Sequence, residues 1–146
     1  QLLAHALSGE VGFHPGNVEI GTVEVQRNAA SDNDPLIGSL PRVFEAQATH
    51  WQSVRTLPPG AVLLAGNSFE PHHAFRVGAN AWGVQFHPEF SDQGLRAYLD
   101  HLGPALADAG RDAQAIAAAL KPTPLAASLL STFAGLALGK VPPLNA

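Results

Sequence analysis

Ala81-Trp82-Gly83-Val84-Gln85-Phe86-His87-Pro88-Glu89-Phe90 is the stretch from which the rest of this chain is read. Trp82, Val84 and Phe86 alternate with Ala81, Gly83 and Gln85, the period of a strand with one bulky buried face. Proline has no N–H to give to a sheet, so Pro88 should stop the pairing at about Phe86. His87 and Glu89 are two positions apart, and in extended backbone both side chains leave on the same side, just past the strand's C-terminal end. Open α/β sheets keep their sites there. A carboxylate beside an imidazole fixes its tautomer and stabilises the imidazolium, which makes the pair the base and orienter of a nucleophilic triad. The same tripeptide also reads as a plain turn closing a buried strand, and the rest of the chain has to decide.

With 146 residues, the chain is long enough for one domain that buries about two-thirds of its unfolded surface. Its 46% hydrophobic and 14% charged residues, net charge of -4 and scattered Lys and Arg describe a globular protein without an electrostatic footprint for nucleic acid. No apolar run reaches the length of a membrane span and no signal peptide is evident, so a cytoplasmic location is expected. The chain has no Met and opens on Gln1 inside an apolar pattern with no cap before it. We therefore expect the C-terminal piece of a longer protein. It also has no Cys, which excludes disulfides and thiolate metal sites and places any cysteine nucleophile outside these residues.

Leu2, Leu3, Ala6 and Leu7 fall at helical spacing before Gly9, the end of a buried helix. Gly12, Pro15, Gly16 and Asn17 are turn residues, Val18 to Val25 has the β-branched content of a strand, and Asn28 to Pro35 is a loop. Strands are expected over Arg42 to Ala48 and, after the turn Leu57-Pro58-Pro59-Gly60, over Ala61 to Ala65. His73 to Val77 joins the opening strand through Gly78-Ala79-Asn80 as a hairpin. Beyond Phe90 the period becomes helical. Ser91 or Asp92 caps a helix with Leu95, Tyr98, Leu99 and Leu102 on one face, which Gly103-Pro104 should end or kink. Asp112 to Leu120 is an alanine-rich helix. Thr123-Pro124 opens a last one with Leu125, Leu129, Leu130, Phe133 and Leu136 inward and Gly139 at its end, followed by a loose tail over Val141 to Ala146.

Taken in order, Gln1-Leu2-Leu3-Ala4 with Gly9-Glu10-Val11, Glu19-Ile20-Gly21, Thr49-His50-Trp51-Gln52, Leu57-Pro58-Pro59-Gly60-Ala61 with Leu64-Ala65, and Gly83-Val84-Gln85-Phe86-His87-Pro88-Glu89 resemble the class I glutamine amidotransferases. The last segment is the specific one. The variant is most similar to the stand-alone, GMP-synthase-like branch, and the resemblance implies an α/β fold: the C-terminal part of a flavodoxin-like glutaminase domain with a Cys-His-Glu triad. Residues 1–104 would be that part of the domain and 105–146 a helical extension, either packing against it or offering a docking surface.

What the resemblance implies for the site is residue-specific. His87 would be the general base and later the acid, Glu89 its orienter, and Gln1 a nucleophile-elbow residue that helps hold glutamine. Backbone groups around Thr49, Trp51 and Gln52 would grip the α-amino and α-carboxylate groups of L-glutamine. The implied activity is hydrolysis of the glutamine side-chain amide to supply ammonia, with no cofactor and with a synthetase subunit or domain as partner. The cysteine and its oxyanion-hole amide would lie just ahead of Gln1, so these 146 residues alone are expected to be inactive, poorly stable and left with an unpaired sheet edge. A γ-glutamyl hydrolase or peptidase with the same triad, and a non-catalytic amidotransferase-like regulatory subunit, remain alternatives. The seven histidines show no paired ligand spacing. We read them as surface and loop imidazoles with no metal site, and His50 as ordering its loop.

Overall fold

Strand-forming residues between proline and glycine turns dominate up to Phe86, and helix formers take over after the Ser91 cap. The computed structural model describes residues 1–140. A short helix α1 (Leu2–Ala6) is followed by β1 (Glu10–Phe13), β2 (Glu19–Arg27), β3 (Val43–His50), β4 (Gln52–Thr56), β5 (Val62–Gly66), β6 (Ala74–Val77) and β7 (Ala81–Val84). Helices α2 (Asp92–Asp108), α3 (Ala113–Ala119) and α4 (Pro124–Ala137) complete the chain. The expected tail over Val141 to Ala146 lies outside the described residues.

The strands make a five-stranded sheet in the order β3-β2-β5-β6-β7 and a two-stranded sheet of β1 with β4. Every pairing among them is antiparallel. The β6–β7 hairpin forms as expected, with Gly78 at φ +60 in its loop. Its inner position is Gly83, where a Cβ would stand 2.4 Å from the Phe75 ring. Only glycine lets the fully buried Phe75 lie across β7.

Three apolar clusters hold these layers. Val25, Phe44, Leu64 and Phe86 of the sheet side pack with Leu36, Ile37, and Ala126 and Leu129 of α4. Val18 and Ile20 pack with Leu95, Leu99 and Leu106 of α2 and with Leu120. Ala4, Val54 and Phe75 form a third cluster under the small sheet. Polar ties join the late helices to the early strands: Gln47 donates to the Lys121 carbonyl at 2.7 Å, and Arg111 donates to that of Val18 at 3.0 Å. No helix among the described residues is long and apolar enough to cross a membrane.

The fold departs from the sequence reading in four places. Glu10–Phe13 and Gln52–Thr56 are paired strands, so Thr49 to Gln52 is no loop but the corner at which the chain leaves one sheet for the other. Of the two outcomes expected at Gly103-Pro104, an end to the helix does not occur: α2 continues to Asp108. Pro104 is exposed and loses one hydrogen bond there, while the buried stripe of Leu95, Leu99 and Leu106 carries the helix past it. In α4, Leu129 is buried, but Leu125, Leu130 and Phe133 are each 49% exposed. Strand β7 ends at Val84 rather than Phe86, although the Gln85 N–H still reaches the His73 carbonyl at 2.8 Å.

Candidate active site

Pro88 and Glu89 form a turn three residues beyond β7, closed by the Phe90 N–H on the His87 carbonyl at 3.2 Å. The turn, not extended backbone, brings the two side chains together: His87 Nδ1 lies 2.7 Å from Glu89 Oε1. A carboxylate accepts only, so Nδ1 carries the proton and Nε2 keeps a lone pair for proton transfer. Phe90 stacks on the imidazole with ring centres 4.8 Å apart, and the His87 N–H is fixed on the Gln47 carbonyl at 2.7 Å. The ring is thus held from both faces of the turn. It is still partly exposed, as is Glu89, as proton exchange with a ligand requires.

His87 opens on a cleft of about 600 Å³ lined also by Gln1, Phe13, Thr49, His50, Trp51, Gln52, Val84 and Gln85. Each of the sequence-derived residues except Glu89, which stands behind His87, therefore shares one cavity. Gln1 caps the start of α1 and donates its side-chain amide to the Gln52 carbonyl at 2.7 Å. The Trp51 carbonyl accepts the His14 N–H at 2.8 Å, and the Thr49 hydroxyl is buried behind the wall with no partner among the described residues. Gln85 ties the two sheets together beneath the cleft: it accepts the Val54 N–H and donates to the His72 carbonyl, both at 3.0 Å.

Behind this wall the sequence reading of the histidines is corrected. His50 and His73 are not surface imidazoles; they are 6% and 0% exposed, and both place Nε2 against Glu19 Oε2, at 2.9 and 3.0 Å. Asn67 donates to the other oxygen of Glu19 at 2.8 Å. Burial pushes the Glu19 carboxyl up, but the bonds from His50, His73 and Asn67 outweigh it and hold the group well below the usual carboxylate range. His50 Nδ1 lies 3.1 Å from the Gln52 carbonyl, so the ring orders the sheet corner as expected for it. The signal for Glu19 lay in strand register, which pairs it with His50 across β2 and β3, while His73 arrives from just before β6; no local pattern shows either.

The comparisons with known proteins bear on the same residues. The family model for glutamine amidotransferase class-I matches residues 1–99. The GMP synthase [glutamine-hydrolyzing] of Thermomicrobium roseum is 36% identical over 99 residues, covering 68% of this chain and 18% of that protein. In Thermococcus kodakarensis one separate subunit of GMP synthase [glutamine-hydrolyzing] is 34% identical over 90 residues, 61% of this chain and 46% of that one. The chain thus spans under half the length of these curated relatives. Among solved structures, a glutamine amidotransferase from Thermotoga maritima superposes with a TM-score of 0.74 at 21% identity, over 93% of this chain and 57% of that one. A glutamine amidotransferase from Methylobacillus flagellatus gives 0.67 at 22%, over 99% and 60%. At such identities the structures share the fold. The family match, running over 99 of the 146 residues and through the whole His87–Glu89 turn, makes this chain a member of the class I glutamine amidotransferases.

Proposed function

We propose that this chain supplies the acid–base half of a glutaminase, the observation that carries it being His87 on the cleft wall with Glu89 2.7 Å behind it. A cysteine thiolate from outside these residues attacks the side-chain amide carbon of L-glutamine. His87, as imidazolium, gives its proton to the departing nitrogen, so the C–N bond breaks and ammonia leaves with a γ-glutamyl thioester behind it. His87 then takes a proton from water as water attacks the thioester, and glutamate and thiolate are released. Glu89 holds the ring and stabilises its charged form. Gln1, Thr49, Trp51 and Gln52 provide the wall against which the α-amino and α-carboxylate groups rest.

We further propose that the ammonia serves a synthetase subunit or domain in the cytoplasm, by analogy with the relative that forms a separate subunit of GMP synthase, and that residues 105–146 extend the amidotransferase part of residues 1–104. The chain has no cysteine, so we assign the activity to a protein in which these residues are joined by a thiolate nucleophile. The test is release of ammonia from glutamine by that protein and by its His87→Ala variant. A loss on the order of 100-fold or more is expected for a general acid–base. Release within about tenfold of wild type removes His87 from that role.

A further inference from the structure

We propose that Glu19, His50 and His73 are the protein ligands of a divalent transition-metal ion of the zinc class, bound behind the cleft wall. Their ligating atoms all lie within 4.8 Å of one another, and all three residues are buried. They come from β2, the end of β3 and the residue just before β6, elements fixed by the sheet rather than by a flexible loop. Zinc holds nitrogen and oxygen ligands at about 2.0–2.2 Å, which sets tetrahedral ligand atoms roughly 3.3 Å apart. Both imidazole Nε2 atoms stand 2.9 and 3.0 Å from the same carboxylate oxygen, so these two gaps need open only a few tenths of an ångström to reach that spacing.

The hydrogen bonds around His50 accommodate an ion. His50 faces an acceptor at each nitrogen, the Gln52 carbonyl at Nδ1 and Glu19 at Nε2. Without an ion both contacts are satisfied only by a ring protonated at both nitrogens and paired with Glu19. With one at Nε2, the neutral ring keeps its Nδ1 proton on Gln52, the outer contact that metal-bound histidines make. The Asn67 amide is oriented by the Phe69 and Glu70 N–H groups on its oxygen, and its NH2 donates to Glu19 Oε1 at 2.8 Å and to the Glu24 carbonyl at 3.1 Å, which holds the carboxylate in place beside His73.

The donor set and its surroundings narrow the ion. Two imidazoles and a carboxylate suit zinc, whereas magnesium and calcium want all-oxygen shells and soft ions want sulfur. Glu19 and Asn67 also line an open cavity of about 470 Å³ with Glu24 and Ser68, a route for the ion and room for a water as fourth ligand.

This inference stands apart from the glutaminase reading, and its readouts are metal content and spectrum rather than ammonia. The purified protein is equilibrated with chelator-buffered zinc and, separately, with cobalt(II). One equivalent of zinc per chain is expected, with the intense visible bands of four- or five-coordinate cobalt. His73→Gln and Glu19→Gln should weaken zinc binding by more than the roughly 100-fold that loss of an outer-shell partner costs, while His101→Gln, on the exposed side of α2, should leave it unchanged. Should the two ligand variants fail to fold, the cobalt spectrum of the wild type decides. No retained zinc, a weak octahedral spectrum, or binding lost with His101→Gln and kept with His73→Gln would overturn the proposal; the last outcome would mean surface imidazoles hold the ion.

Discussion

Asp34 sits inside the protein with its carboxylate fully occupied. One oxygen accepts the backbone N–H groups of Leu36 and Ile37 at 3.0 and 2.9 Å, the other accepts Arg76 Nε at 2.9 Å, and the Trp82 indole N–H lies within 3.2 Å of both. Asp34→Ala leaves Arg76 Nε, the Leu36 and Ile37 N–H groups and the Trp82 indole N–H without their acceptor, while the guanidinium keeps only the Gly78 carbonyl, and should cost about 3–5 kcal/mol in urea unfolding. Gly83→Ala drives a methyl into the Phe75 ring and should cost at least about 1–3 kcal/mol in the same assay. Glu89→Gln is the opposite case: the side chain is 53% exposed, so the unfolding midpoint should hardly move. In the protein with its nucleophile, ammonia release should nonetheless fall roughly 100-fold or more, because an amide no longer stabilises the charged form of His87. His87 and Glu89 were legible in the sequence because a three-residue turn brings them together. Glu19 and His73 were not, because only the pairing of distant strands makes them neighbours.

At the level of elements, the strong periodicities were readable and the compromises were not. β2, β3, β5 and the β6–β7 hairpin follow their β-branched alternation and turn residues to within about two residues. The β1–β4 pair escaped notice because Gly12 and the polar residues of Gln52–Thr56 give it no alternating face, and its stability comes from Val11 and Val54 packing with α1. Helix α2 survives its proline because tertiary burial outweighs propensity, so Pro104→Ala, at an exposed position, should raise the melting temperature, by up to about 3 kcal/mol in free energy. In α4 the two faces should separate cleanly. Leu129→Ala, with Leu129 3% exposed, should cost about 2–5 kcal/mol, whereas the half-exposed Leu130→Ala should cost clearly less.

Across the whole molecule, the late helices complete cores begun by the early strands: Leu129 of α4 lies in one cluster with Val25 and Phe44, and Leu106 of α2 in another with Val18 and Ile20. Such sharing should make unfolding a single event. Tryptophan fluorescence, which reports on the sheet corner at Trp51 and on Trp82 against Phe133, should give the same urea midpoint as helical circular dichroism. Two midpoints would show that sheet and helices do not unfold together. The order of elements was readable along the chain, but this closure was not, since it links residues that are remote in sequence.

The corner at Gln52 sets a limit on what the cleft can recognise. A carbonyl oxygen has two lone pairs, and at Gln52 one lies toward the Gln1 amide and the other toward the His50 ring. The Trp51 oxygen has already taken the His14 N–H. An incoming ammonium group therefore finds the first acceptor saturated and the second half taken. To be held at this wall, it must use the lone pair left on Trp51 or make Gln1 swing aside, so occupancy of the cleft and the posture of the first residue are coupled.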